Sequence, residues 1–227
     1  MNYSAIKRRI TFYKILSAII SYLLHPLVMP TLIFAIVFYF CPMAFNINPQ
    51  MIGKLLSMIF ITTFVFPVLS TFVLFYVVKR NFSINDLHMN NKGERFYPFL
   101  FTGFFYAAIT YMFIRSGNYD ANIIAIMGGI SLSAIVVAFI TYFWMISAHA
   151  VGICGVLGYT LVVSYYYPYE LMLYPIALIA MLAGLLMSAR LYLNVHNTAQ
   201  VFSGAFLGLV ISILSFVVFQ EFGYIFL

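Results

Sequence analysis

Long uncharged stretches, separated by short polar segments, dominate the hydrophobicity pattern of this chain. Seven of them reach or approach the roughly 20 residues that a helix needs to cross the bilayer core. They are residues 15–40, 55–78, 96–114, 121–148, 150–169, 171–189 and 191–220. None alternates as a barrel strand does, so helices must satisfy the backbone hydrogen bonds. The pattern predicts an all-α integral membrane protein, a bundle of about six to seven transmembrane helices.

Composition places nearly the whole chain in the membrane. Of 227 residues, 65% are hydrophobic and 7% are charged, whereas a soluble domain carries about 25% charged residues. We therefore expect two parts. Residues 1–14 form a basic amphipathic segment on anionic lipid, and residues 15–227 form one transmembrane helical domain. The expected partner is membrane lipid, and no nucleic-acid partner is expected.

The Lys and Arg residues are unevenly divided between the two membrane faces. Lys54 and Arg115 fall on the far side. The side that holds the N-terminus collects Lys7, Arg8, Arg9, Lys14, Lys79, Arg80, Lys92, Arg95 and Arg190. Such an excess marks the cytoplasmic face, so the charges predict a cytoplasmic N-terminus. The expected location is the inner membrane of a bacterium. The HPLVMP sequence at 25–30 predicts a proline kink, although a re-entrant hairpin there would reverse all later spans.

Three polar segments follow even-numbered spans and therefore reach the same membrane face. They are the 81–98 loop after the second span, the turn at 146–149 after the fourth, and residues 188–200 after the sixth. Their convergence depends only on the number of spans between them, so it holds whatever the first span does.

The turn at 146–149 places a serine and a histidine at the start of a span. Ser147 is a predicted N-cap, and His149 lies in the first turn of the fifth span. A helix N-terminus favours an anion, because its first N–H groups have no partner within the helix. The alternative is a plain cap beside an interfacial histidine, since capping serines are common.

The 81–98 loop adds cations to the same face. It contains His88, Lys92 and Arg95. Basic residues beside spans more often set topology than bind a ligand. Of the three, Arg95 lies nearest its span, where its planar guanidinium suits a phosphate.

The last polar segment contains Arg190 and His196, which are costly near a membrane span and therefore mark a candidate functional site. His196, Gln200, Gly204 and Gly208 recur at intervals of four, which on a helix places them on one face. One alternative is a snorkelling arginine beside a hydrogen-bonded histidine. Another is a GxxxG helix-packing motif, which would also hold the histidine rigidly.

Histidines, two or three cations and a helix N-terminus at one lipid–water boundary suit a phosphate on a lipid. Arg and Lys neutralise phosphate oxygens, and phosphoryl transfer needs mainly positioning and charge stabilisation. One histidine can act as the nucleophile and the other as the acid that protonates the departing oxygen.

In order and spacing, the three segments resemble the motifs KxxxxxxRP, PSGH and SRxxxxxHxxxD of the type 2 phosphatidic acid phosphatase superfamily. The resemblance covers the chain roughly from the second span to the end. The matching positions are His88, Arg95, Ser147, His149, Arg190, His196 and Gln200.

The resemblance implies a core like that of this family and a metal-independent, cofactor-free hydrolysis of a lipid phosphate or prenyl diphosphate. His196 would attack phosphorus to form a phosphohistidine, and His149 would protonate the leaving group. The phosphate-binding residues would be Arg190, Arg95, Ser147, and either His88 or Lys92 in place of the family's lysine. In bacteria the resemblance also implies an outward-facing site, against the charge distribution.

The sequence departs from the family pattern at Gln200, which replaces the aspartate that would orient the nucleophilic imidazole. A glutamine oxygen accepts the same N–H hydrogen bond and fixes the tautomer, but it supplies no charge. Ala189 also replaces the serine of the third motif, and the first two motifs lack their prolines.

Three functions therefore remain open. The first is a membrane phosphatase of lipid phosphates or diphosphates. The second is a non-catalytic relative that binds or carries an anionic lipid, as the loss of the aspartate suggests. The third is a zinc site built from His88, His149 and His196, although no Cys or carboxylate lies at a recognisable ligand spacing.

Overall fold

The computed structural model describes residues 3–45, 47–78 and 92–222, with side chains from residue 11 onward except at 74–75, 77–78 and 92–95. This part of the chain forms helices and contains no strand. The α-helices are α1 (Tyr3–Leu23), α2 (Met29–Phe40), α3 (Pro49–Phe60), α4 (Phe66–Val78), α5 (Lys92–Ser116), α6 (Ala121–Phe143), α7 (Ala148–Tyr166), α8 (Leu173–Tyr192) and α9 (Thr198–Phe222).

Seven helical segments of the described chain are long and apolar enough to cross a membrane. They are Thr11–Phe40, Pro49–Val73, Phe96–Ser116, Ala121–Phe143, Ala148–Tyr166, Glu170–Tyr192 and Thr198–Phe222. The chain is an all-α integral membrane bundle, which confirms the predicted fold class and each of the seven spans.

The second span begins at Pro49, earlier than the predicted residue 55. Asn48 caps α3, its side-chain oxygen accepting a hydrogen bond from Gln50 N–H at 3.0 Å, and Pro49 occupies the first helical position, where no N–H is needed. Lys54 therefore lies within α3 and not before it. Its side chain is exposed, as expected of a lysine that snorkels to the membrane surface. The π-helical stretch Ile61–Val65 joins α3 to α4.

The first span is broken at HPLVMP instead of merely kinked. Helix α1 runs through Lys14 without interruption and ends at Leu23; His25 then caps a short 3-10 turn, Pro26–Val28, and α2 begins at Met29. The Nδ1 atom of His25 accepts a hydrogen bond from Leu27 N–H at 3.3 Å. The helical structure of this region is therefore interrupted at residues 24–28.

Residues 25–41, which include α2, run parallel to α7 along most of its length. At one end the His25 ring lies 5.7 Å from the ring of His149, at the start of α7. At the other end Cys41 Sγ lies 3.7 Å from the carbonyl oxygen of Tyr167, just past the end of α7. The break thus leads into a crossing helix, so the hairpin alternative, in which the chain would turn back, does not describe residues 25–41.

Helix α1 approaches the ends of α7 and α8 that lie on one membrane face. The carbonyl oxygen of Ser21 is 3.1 Å from His149 Nε2, and the rings of Tyr13 and Tyr192 are 6.2 Å apart. Both partners stand at helix termini that share one side of the bundle. Ser17 and Ser21 are buried, whereas Ile15, Ile19 and several aromatic residues of α1 are exposed.

Helix α7 is the centre of the bundle, and its closest neighbour is α9. A Cβ atom added at Gly204 would lie 2.7 Å from the carbonyl oxygen of Ser147, and one at Gly208 would overlap the carbonyl oxygen of Val151. Only glycine permits the two backbones to approach this closely. The helix-packing reading of the GxxxG spacing is therefore confirmed.

Candidate functional site

One membrane face, the site face, is reached by the N-termini of α7 and α9 and by the C-terminus of α8. The second and third polar segments of the sequence meet there, because Ser147 N–H donates to the carbonyl oxygen of Gln200 at 3.2 Å. Electrostatic interactions connect Arg190 with His25 and His149, and His149 with His196. These four residues are called the histidine–arginine cluster below.

His196 lies in the turn before α9 instead of on the helix, which corrects the expectation that it stacks with Gln200, Gly204 and Gly208. Its Nδ1 atom is 3.1 Å from Gln200 Oε1. An amide oxygen can only accept, so Nδ1 carries the proton, and in the neutral ring Nε2 then holds the lone pair. The His196 side chain is 7% exposed, so packing holds this orientation.

Gln200 has a second, structural task at the start of α9. Its side-chain oxygen also accepts from Asn197 N–H at 3.2 Å, and Asn197 Oδ1 accepts from Gln200 N–H at 2.9 Å. This reciprocal pair is a capping box. The same oxygen thus caps the helix and orients the histidine ring.

Ser147 and His149 occupy the positions that the sequence predicts for them at the start of α7. Ser147 is the N-cap, its hydroxyl accepting from Ala150 N–H at 3.4 Å, and it is fully buried. His149 Nε2 bonds to the carbonyl oxygen of Ser21, which only accepts, so Nε2 carries a proton. Any group that faces His149 from the other edge of the ring meets Nδ1.

Arg190 reaches the site face because α8 ends two residues later. The chain then reverses through Asn194, whose φ of 54° lies in the left-handed region that asparagine tolerates better than most residues. Leu193 N–H and Asn194 N–H bond back to the carbonyl oxygens of Ala189 and Leu191. This turn leads from Arg190, at the end of one span, to His196, before the next.

His25 is the member of the cluster that sequence reasoning missed. Its ring packs edge-on against His149, 124 positions later in the chain. The available signal was a histidine followed by prolines at positions 26 and 30 in an apolar span. That pattern is compatible with a full break, and a broken helix end is where an ionisable side chain is tolerated.

Arg190 brings positive charge to the histidine–arginine cluster. The carboxylates whose side chains the structure describes, Asp120, Glu170 and Glu221, stand at the opposite ends of α6, α8 and α9. A cationic cluster at a membrane surface favours an anion that reaches it from the lipid headgroup region.

The first motif is only partly described. His88 lies outside the described residues, and Lys92 and Arg95 begin α5, where the side chains are likewise outside the description. The backbone places Arg95 on the same face of α5 as Phe99, one turn nearer the site face. Phe99 packs in a small cluster with Ala148 and Val151 at the start of α7.

Among the described residues, no group of three or more His, Cys, Asp and Glu side chains is arranged to hold a metal ion. Comparison of the chain with protein-family models, with curated proteins and with solved structures gives no match.

Proposed function

We propose that this protein is an integral-membrane phosphatase that hydrolyses a lipid phosphate or diphosphate through a phosphohistidine on His196. The observation that carries the proposal is the bond from His196 Nδ1–H to Gln200 Oε1. It leaves the lone pair on Nε2, which is what a nucleophilic imidazole needs. The motif spacing that resembles the type 2 phosphatidic acid phosphatases supports the same assignment.

In the proposed reaction, Nε2 of His196 attacks the terminal phosphorus, and the bond from that phosphorus to the ester oxygen of a monophosphate, or to the bridging oxygen of a diphosphate, breaks. Arg190, together with Arg95, would neutralise the charge on the phosphoryl oxygens. Water then attacks the phosphohistidine, which releases inorganic phosphate and restores the ring. No metal or cofactor takes part in these steps.

His149 would supply the proton to the departing oxygen. Because its Nε2–H donates to the carbonyl oxygen of Ser21, that proton has to come from Nδ1 of a doubly protonated ring. A bound phosphate favours this imidazolium form, since opposite charges stabilise each other. His25, in contact with the His149 ring, would keep the ring in place.

The test is phosphate release by the purified protein from a panel of lipid phosphates and diphosphates. We expect turnover in the unaltered chain and a loss of at least about 10⁴-fold in His196→Ala, because nothing replaces the nucleophile. Ser188→Ala, an exposed position near the end of α8, is the matched control and should retain full activity. Equal release by the unaltered chain and His196→Ala would contradict the proposal.

The second candidate function is binding of an anionic lipid without turnover. The observation that favours it is the capping box, which gives Gln200 a structural reason to be present. It predicts that the protein binds vesicles containing lipid phosphate, that Arg190→Ala weakens this binding, and that no phosphate is released. Steady phosphate release would exclude it.

A further inference from the structure

An apolar cleft of about 100 Å³ opens between the HPLVMP break and helices α2, α5, α6 and α7. On α7 its lining residues include Ala148, Val151, Gly155 and Tyr159, a helical stripe that starts beside His149. At 1.5 Å per residue the stripe is about 16 Å long, roughly half of the hydrocarbon core. The cleft therefore descends from the site face into the membrane interior.

The lining residues on α2, α5 and α6 show the same descent from the site face into the membrane interior. Phe99 and Val137 line the end near the site face, and Ile33, Tyr106 and Ile130 line the deep end, as the opposite chain directions of α5 and α6 require. One face of each of these helices therefore lines the cleft along its length. It is narrow, because about 100 Å³ spread over that length excludes anything wider than a single hydrocarbon chain.

Three of the four hydroxyl-bearing side chains in the cleft wall bond to groups outside it, and Ser133 is the fourth. Tyr106 donates to the carbonyl oxygen of Thr63 at 2.7 Å, Tyr159 pairs with Ser215 at 3.0 Å, and Thr102 donates to the carbonyl oxygen of Pro98 at 2.8 Å. These residues present their carbon atoms to the cleft. Such a lining suits a hydrocarbon and not a polar ligand.

The break at residues 24–28 joins the cleft to the histidine–arginine cluster. His25 contacts His149, and the next two residues, Pro26 and Leu27, line the cleft. A molecule whose phosphate lies at the cluster would therefore have its chain at the mouth of the cleft.

We infer that the cleft binds one straight hydrocarbon chain of the lipid whose phosphate lies at the histidine–arginine cluster. The inference rests on the proposed function for the position of the headgroup. It adds that the chain of the substrate is held between α2, α5, α6 and α7, and that the depth of the cleft selects chain length.

The test uses the full-length protein in lipid vesicles and a straight-chain alkyl phosphate with a photoactivatable group at the chain end. We expect the probe to crosslink to peptides of α2 and α6. An excess of unlabelled alkyl phosphate should suppress these crosslinks, and an excess of an isoprenyl phosphate should suppress them less. Ala134→Phe, midway along the cleft, should shift the preferred chain length downwards, with at least about a tenfold loss for the longest chains. Ile130→Ala, at the deep end, should shift it upwards.

Ala180→Phe, on the exposed face of α8, is the matched control and should change neither property. Opposite shifts in the two cleft variants cannot arise from misfolding. Crosslinks in the cleft without phosphate release would support the cleft and contradict the phosphatase. Phosphate release with unchanged chain-length preference in both variants, or crosslinking by an isoprenyl probe alone, would overturn the cleft assignment.

Discussion

At the scale of single residues, the side chain of Gln200 both caps a helix and orients the ring of His196. Its side-chain oxygen accepts one hydrogen bond from the backbone of Asn197 and another from the ring of His196. The first bond is part of a helix cap, worth about 1 kcal/mol. The second sets the tautomer of the ring but adds no negative charge beside it.

Substitution Gln200→Glu separates these two tasks. Glutamate serves a capping box as well as glutamine does, so we expect an unchanged thermal midpoint. Its carboxylate would stabilise the positive charge that develops on His196, which should raise the rate of phosphate release about tenfold or more. Gln200→Leu, which cannot accept the hydrogen bond from the His196 ring, is the comparison that removes both the cap and the ring partner. A lower rate in Gln200→Glu, with the fold retained, would show that a neutral partner is required.

At the scale of helices, the contact between α7 and α9 holds the two histidine-bearing segments together. The Ser147–Gln200 backbone bond joins them at the site face, and Gly204 and Gly208 permit the close approach below it.

Substitution Gly208→Ala should therefore separate these helices. The added Cβ meets backbone atoms of Val151 and Gly155, which cannot move aside as a side chain can, so we expect a loss of about 1–3 kcal/mol in stability. The matched control is Gly184→Ala on α8, where a Cβ meets nothing within 4 Å and better helix propensity should make the change neutral or slightly stabilising. Equal thermal midpoints for the two variants in detergent would contradict this account of the packing.

The helices themselves were predictable from the sequence, but one internal break was not. Uncharged length locates the spans, because a bilayer excludes charge over a fixed thickness, although it places the start of the second span after Lys54 instead of at Pro49. The stop at Leu23 and the new start at Met29 depend on His25 capping the turn that follows it. A sequence with two prolines is compatible with either a kink or a full break.

At the scale of the whole molecule, the even number of spans between the polar segments determines which of them can meet. Ser147, Arg190 and His196 were predicted to share one face because of the span count, and they do. His25 was not predicted to join them, since its contact with His149 depends on how α2 packs along α7. Packing of that kind has no periodic signature in the chain.

The arrangement of the spans predicts which loops lie on opposite sides of the membrane. The native cysteines, Cys41 and Cys154, are buried, so single added cysteines report accessibility. A membrane-impermeant thiol reagent should label Asn118→Cys, between α5 and α6, from outside intact cells, and Val195→Cys, between α8 and α9, only after permeabilisation. Labelling of both from the same side would contradict the span count, and the reverse order would place the site face outside.

The central claim is that His196 becomes covalently phosphorylated during turnover. The most direct measurement is rapid alkaline quenching of the protein with a lipid phosphate substrate, followed by mass spectrometry of the peptide that contains His196. We predict a phosphoryl group on His196 in the unaltered chain, with no phosphorylated peptide and no phosphate release in His196→Ala. Steady phosphate release without this modification, or with it on another residue, would contradict the account.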